Sequence, residues 1–578
     1  MQRKDGGFWA DFGRPRRFLE TMAPLETGHE RIKMSADDWW KCGIVYQVYP
    51  RSFQDSNGDG IGDLDGIRGR LDHLVSLGVD AVWISPIYPS PMADFGYDIS
   101  DFCGIDPRFG TLEGFDALVQ EAHARELRII LDFVPNHTSD RHPWFVQSRS
   151  ARSDPRRDWY IWRDPAPGGG PPNNWLSNFG GPAWAFDPAT GQYYAHSFLK
   201  EQPDLNWRNP EVRAAMYEVL RFWLRRGVDG FRVDVLSQII KDAQFRDNPP
   251  NPDFIEGQDP FFRWQMLYNT DLPELQPIVA EMRRVVDEFS DARSSRVLIG
   301  ELYLPLARLV AYYGLNTEGV LEGVQLPFNF QLIATEWQAA HIDRLVRDYE
   351  AALPAGAQPN WVLGNHDRSR IASRVGPQMA RLAAMLLLTL RGTPTLYYGD
   401  EIGMTDVAIP ADEVQDPFEK NKPGMGLGRD PERTPMQWSA AAHAGFTTGT
   451  PWLRLAADWP TRNVEAQSQD AGSMLGLYRR LIALRRAQPA LNRGHYEALD
   501  AEGEVLAYAR SFEGRRLVVL LNFGATPAPI SPALMPHQPI VLASTDPARA
   551  ESIEGPLVIA PCEGVVLGAM DDQGPATR

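Results

Sequence analysis

The chain has 578 residues, 43% of them hydrophobic, and a formal net charge of −17. That length holds several domains or one large α/β barrel with additions, and the apolar content suffices for a sizeable core, which excludes a disordered scaffold. The acidic balance argues against nucleic acid or an anionic membrane as partner and leaves a neutral or cationic small substrate. Cys42, Cys103 and Cys562 stand far apart, outside any metal-ligand spacing, and fit a reducing compartment, so the expected location is the cytoplasm.

In chain order, residues 1–33 are charged and lack the apolar run of a secretion signal. They are expected to form a disordered tail or to reflect an upstream start, ahead of a folded part that begins at residue 34. Residues 44–49 read as a buried strand, 67–77 as a helix, and 81–84 as a second strand. A helix from Leu112 sets Phe115, Leu118, Val119 and Ala122 on one face, and residues 129–134 form the third strand. Residues 138–207, rich in Pro, Gly, Trp and Asn, are too long for a loop and read as an inserted subdomain. A helix opens at Pro210 with Asn209 as N-cap and stops at Gly227, and the strand carrying Asp234 follows. Further strands are expected at 297–301, 323–326, 361–363 and 395–398. The apolar run 382–390 is too short to span a bilayer and reads as a core helix. Beyond residue 491 come strands at 504–510 and 517–522 about a Glu513-Gly514 turn, a small all-β domain over 491–578. Strand–helix alternation over 34–137 and 208–490 implies a parallel sheet closed as a (β/α)8 TIM barrel.

In a barrel, the C-terminal ends of the strands converge on one face. Asp132, Asn136-His137, Asp234, Glu301 and Asn365-His366-Asp367 all fall there. Arg232 and Asp234 lie two apart and share a strand face, so a fixed cation sits beside a carboxylate and favours its ionised form. Asp234 and Glu301, on neighbouring strands, supply the two carboxyl groups that glycoside hydrolysis requires, one protonated as acid and one ionised. Separately, Asp55-Ser-Asn-Gly-Asp-Gly-Ile-Gly-Asp63 places oxygen ligands at Asp55, Asn57, Asp59 and Asp63, with the Ile61 carbonyl between. This is the front of an EF-hand-like loop without its terminal Glu; the alternative is an Asp/Gly turn.

The motifs Asp132-Phe-Val-Pro-Asn-His137, Gly230-Phe-Arg-Val-Asp234, Gly300-Glu301, Asn365-His-Asp367 and Gly392-Thr-Pro-Thr-Leu-Tyr-Tyr-Gly-Asp-Glu401 stand in the order of the α-amylase-type glycoside hydrolases. With Gln202-Pro-Asp-Leu-Asn206, the chain from Trp39 onward resembles their α-glucosidase and oligo-1,6-glucosidase branch. The resemblance implies Asp234 as nucleophile, Glu301 as acid/base and Asp367 as transition-state stabiliser in a retaining mechanism. It implies Asp94, Tyr97 and Arg429 at the closed end of the pocket, His137 and His366 donating to sugar hydroxyls, and Phe179 lining the wall. It also implies a structural Ca2+ or Mg2+ at the Asp55 loop and no catalytic cofactor. The expected activity is exo-hydrolysis of short α-glucosides. Oligo-1,6-glucosidase, glucosyl transfer and trehalose- or sucrose-type isomerisation are alternatives, and a non-catalytic barrel is one of another class. In relatives, Val at the position after the nucleophile often accompanies α-1,6 activity. Residues 236–242 and 245–258 depart from that branch, which turns the reading toward α-1,4 linkages.

Overall fold

The computed structural model describes residues 38–291 and 294–570, so the expected tail over 1–33 lies outside the described residues. Eight short parallel strands close a barrel: β1 (Val45–Val48), β2 (Ala81–Ile84), β3 (Arg128–Phe133), β4 (Gly230–Val233), β5 (Val297–Gly300), β6 (Leu326–Asn329), β7 (Asn360–Val362) and β8 (Thr393–Tyr397). Each pairs with its neighbours in sequence, and β8 returns to β1. Nearly every strand residue is buried, as the continuous apolar runs demand of a sheet covered on its outer face by helices and filled inside by side chains.

Two elements differ from the sequence reading. The sixth strand begins at Leu326, not at Gly323. Gly323 and Val324 instead donate to the carbonyls of Tyr313 and Tyr312, closing the loop between them, and Pro327 inside the strand disguises it. The first helix is two, α1 (Leu64–Gly69) and α2 (Leu71–Leu77). Arg70 leaves helical geometry between them, where its Nε donates to Gln54 Oε1 at 2.7 Å and its guanidinium covers the Trp438 ring at 4.1 Å.

Helix α3 (Leu112–Ala124) buries Phe115, Leu118, Val119 and Ala122. Helix α4 (Pro210–Arg225) is capped by the Asn209 side chain, which accepts from Glu211 N, and buries Val212, Met216, Val219, Leu220 and Trp223. Between β3 and β4 lies a separate antiparallel sheet of Trp162–Arg163, Trp184–Asp187 and Gln192–Ala195. The C-terminal region is all-β: β9 (His495–Leu499), β10 (Val505–Phe512), β11 (Arg515–Asn522), β12 (Pro539–Ser544) and β13 (Gly564–Ala569), in sheet order β9-β10-β11-β13-β12. Glu513 and Gly514 both take positive φ in the β10–β11 hairpin, the backbone twist a two-residue turn needs. No helix among the described residues is long and apolar enough to cross a membrane.

Helix α5 (Pro377–Thr389) is buried along most of its length between barrel and C-terminal sheet. Its C-terminal carbonyls receive two buried cations: Arg510 donates to Thr389 O at 2.6 Å and to Gly494 O at 2.9 Å, and Arg485 to Leu388 O and Leu390 O. Replacing Arg510 with Ala strands those carbonyls. It should lower unfolding stability by about 3 kcal/mol, two hydrogen bonds to a charged group, and leave kcat of the folded protein unchanged. A thermal melt paired with an activity assay at 25 °C checks both halves.

Candidate active site

Asp132 of β3 pairs in register with Arg232 of β4, and Val233 of β4 with Gly300 of β5. Asp234 and Glu301 are therefore the first residues past two adjacent strands. Arg232 is 1% exposed. Its Nη1 meets Asp132 Oδ1 at 2.5 Å and Asp234 Oδ1 at 2.7 Å, and its Nη2 meets Glu301 Oε2 at 2.7 Å. Trp83 Nε1 and the Tyr97 hydroxyl donate to the other oxygen of Asp132. One planar fork thus orients three acids.

Val235, next after Asp234, lies in the left-handed region at φ 42° and ψ 40°. For a β-branched residue this conformation costs about 1–3 kcal/mol. It turns the Val235 N–H onto Glu301 Oε2 at 2.9 Å. The strained turn holds the second carboxylate beside the first.

Three carboxylates around one cation leave surplus negative charge in a buried space. Burial raises the Asp234 carboxyl well above the usual carboxylate range; Arg232 opposes this, and the charges of Glu301, Asp132 and Asp367 add to it. Asp132 is pushed up to about 6 by burial, against the pull of Arg232. Arg232 thus pulls Asp234 toward its ionised form, as expected, while dividing its charge among three acids.

Asp367 has the opposite balance. Its Oδ1 meets Arg433 Nη2 at 2.7 Å and Arg429 Nη1 at 3.2 Å. Burial works to raise its carboxyl, but His366, Arg429 and Arg433 overcome this and hold it well below the usual range. Burial keeps His366 itself neutral, so the permanent charge comes from the arginines. Arg429 continues outward to Asp94 Oδ1 at 2.7 Å and Asp416 Oδ1 at 2.6 Å, and lies 4.9 Å from the Phe179 ring centroid. Burial pushes Asp94 up to about 6 despite Arg429. Gln202 Nε2 donates to the second oxygen of Asp94 at 3.1 Å. Asp204, two residues on, accepts from Asn136 Nδ2 and pairs with buried Lys241 at 3.0 Å, which ties the inserted segment to the ends of β3 and β4.

The Tyr97 and His366 rings are nearly coplanar and meet edge to edge, with centroids 5.4 Å apart and 3° between planes. His366 Nε2 meets the Tyr97 hydroxyl at 2.6 Å, and its Nδ1 meets Gln47 Nε2 at 2.8 Å. His137 uses Nε2 on the Tyr97 carbonyl and Nδ1 on Asn136, and burial lowers its pKa to about 4. With both nitrogens of each ring bonded within the protein, neither histidine offers a free N–H to a ligand. In this arrangement both rings support Tyr97.

The Asp55–Asp63 loop is closed by its own hydrogen bonds. Asp55 accepts from Asn57 N, Gly58 N, Gly60 N and the Thr447 hydroxyl. Asp63 accepts from Ser56 N and Oγ and from Gly66 N, which caps α1. Asn57 and Asp59 each accept from the N–H two residues on. Among the described residues, no group of three or more His, Cys, Asp or Glu converges as a metal site. As folded, the donor set of Asp55, Asn57, Asp59, Ile61 and Asp63 does not fit a ready-made cation cage.

Arg433 and Asp416 were not singled out in the sequence. Arg433 stands four residues after Arg429 across the Asp430–Glu432 turn, and that spacing is the signal that both guanidinia can reach one carboxylate.

A family model described as "Alpha amylase, catalytic domain" matches residues 47–494, and one described as "Domain of unknown function (DUF3459)" matches residues 491–567. A probable alpha-glucosidase of Rhizobium meliloti is 43% identical over 498 residues, covering 84% of this chain and 89% of the relative. An oligo-1,6-glucosidase of Halalkalibacterium halodurans is 39% identical over 524 residues, covering 84% of this chain and 90% of the relative. Among solved structures, the alpha-glucosyl transfer enzyme XgtA shares 39% identity at a TM-score of 0.86, over 92% of this chain and 99% of that one.

The charge balance at Arg232 is open to test. Asp132→Asn removes one negative neighbour and returns Nη1 to Asp234, and both changes favour the ionised form. The Asp234 carboxyl should titrate at lower pH than in the parent protein, read from 13C-labelled aspartate by NMR. An unchanged titration would separate the two acids.

Proposed function

The chain belongs to the α-amylase family of glycoside hydrolases, and we propose that it is an exo-acting, retaining α-glucosidase on short α-glucosides. The observation that carries this reading is the meeting of Asp234 and Glu301 on the two arms of one buried guanidinium. Asp234 Oδ attacks the anomeric carbon as the bond to the leaving oxygen breaks, and Glu301 gives that oxygen its proton. A β-glucosyl ester results. Glu301 then takes a proton from water, whose oxygen attacks the same carbon and releases Asp234. Two inversions give net retention. Asp367, held ionised by Arg429 and Arg433, stabilises the oxocarbenium-like charge and binds sugar hydroxyls.

Asp94, Arg429 and Phe179, brought together beside Asp367, support a pocket closed beyond one glucose. Tyr97, backed by His366, supplies the flat face for the sugar ring. The partner is a small oligosaccharide or α-glucoside, and three cysteines far apart in sequence suit a cytoplasmic setting. Glucosyl transfer is the second reading, supported by the transfer enzyme with a TM-score of 0.86. The α-1,4 preference rests on the departures over 236–242 and 245–258, and the oligo-1,6-glucosidase relative supports the α-1,6 alternative.

Proton NMR on fresh maltose should show α-glucose appearing before mutarotation, and Asp234→Asn should lose several orders of magnitude in kcat. Immediate β-glucose would replace retention by inversion. Rates on maltose, isomaltose, sucrose and trehalose, with acceptor products counted, rank the linkages and separate hydrolysis from transfer and isomerisation. Ca2+ or Mg2+ at the Asp55 loop is a further proposal, supported by ligand spacing, and it requires the loop to release N–H groups from its aspartates. A bound cation would raise the melting temperature in calcium over that in chelator, an increment lost in Asp59→Ala. Equal melting temperatures would mean that the hydrogen-bonded loop is the final state.

A further inference from the structure

Lys422 is 8% exposed, yet it belongs to a surface loop after β8. Its ammonium meets Asp259 at 2.6 and 2.8 Å and the Asn178 carbonyl at 2.9 Å, so all three of its donors are used. Asn178 lies in the inserted segment after β3, and Asp259 in the long connection after β4. One buried cation therefore joins three loops that are far apart in sequence. The stem is fitted as closely as the head: a Cβ at Gly180 would lie 3.0 Å from Lys422 Cε. The ammonium also sits 5.0 Å from the Phe418 ring and 5.9 Å from the Phe261 ring, which limits water around it.

This junction leads directly to the closed end of the site. Phe179, next to Asn178, packs on Phe418 with centroids 4.9 Å apart and on the Arg429 guanidinium. The short helix Pro417–Asn421 runs from Asp416, which holds Arg429, to Lys422. A shift of the ammonium therefore moves the helix that seats Arg429 and the loop that seats Phe179. Removing one partner of a buried ion pair leaves the other charged and unpaired, which drives the local structure open.

We propose that Lys422 is a positioning residue for chain-length selectivity, latching the loops after β3, β4 and β8 into one roof over the glucose pocket. This rests on the exo-glucosidase reading. With the roof latched, a chain extended past one glucose meets Phe179 and Arg429; with it released, longer α-glucans gain a path.

Lys422→Met and Asp259→Asn break the latch from opposite sides and leave the residues around the bond to be cleaved untouched. Both should raise hydrogen exchange in residues 174–181, 254–263 and 417–426. Both should raise KM for maltose by about tenfold with kcat within about twofold, the signature of lost ground-state binding. The kcat/KM ratio of maltohexaose to maltose should rise by about fivefold or more. Faster exchange without a change in that ratio overturns the selectivity role, and unchanged exchange in both variants overturns the latch. A parent protein that cleaves no α-glucoside sinks the glucosidase reading; an active parent with variants of unaltered selectivity sinks only this proposal.

Discussion

A guanidinium does not give up its proton inside a protein, so burying one obliges anions to gather around it. Arg232 exerts that demand at the mouth of the barrel. It draws Asp132, Asp234 and Glu301 from three adjacent strand ends onto one planar fork. Because the strand register sets where each carbon backbone ends, the fork needs only to orient side chains, not to move strands. The same arrangement withholds any single acid from a full counter-charge. Burial and mutual repulsion then push Asp234 and Asp132 upward while the arginine pulls them back. Asp367, across the pocket, faces two arginines instead and stays firmly ionised.

The strand ends were legible because a short, continuously apolar run is a strong signal and an acidic residue at its end stands out. Asp132, Asp234 and Glu301 all follow such runs. Legibility failed where a residue acts against its local pattern. Pro327 reads as a strand breaker, yet it sits within β6 of a closed barrel. Arg70 reads as a helical surface residue, but its stacking on Trp438 interrupts the helix. Asp416 comes from a loop whose position depends on the whole fold, so its convergence on Arg429 has no local periodicity to betray it.

The histidines teach a related lesson. A histidine beside a catalytic carboxylate invites a role as proton donor to ligand. His366 and His137 spend both ring nitrogens within the protein, on Gln47, Tyr97 and Asn136, and burial keeps them neutral. Residue type marked the neighbourhood correctly; only the surrounding partners say what the ring is free to do. The same applies to the Asp55–Asp63 loop, where ligand spacing and hydrogen-bond saturation point in different directions.

Val235 carries a consequence for how such a protein changes over many generations. Its left-handed backbone is one that glycine or asparagine would hold with less strain. Selection for heat resistance alone would favour those residues there. Either would replace an apolar branched side chain immediately beside Asp234 and Glu301. Backbone strain and the shape of the site are thus written on the same residue, so neither can change alone at that point of the chain.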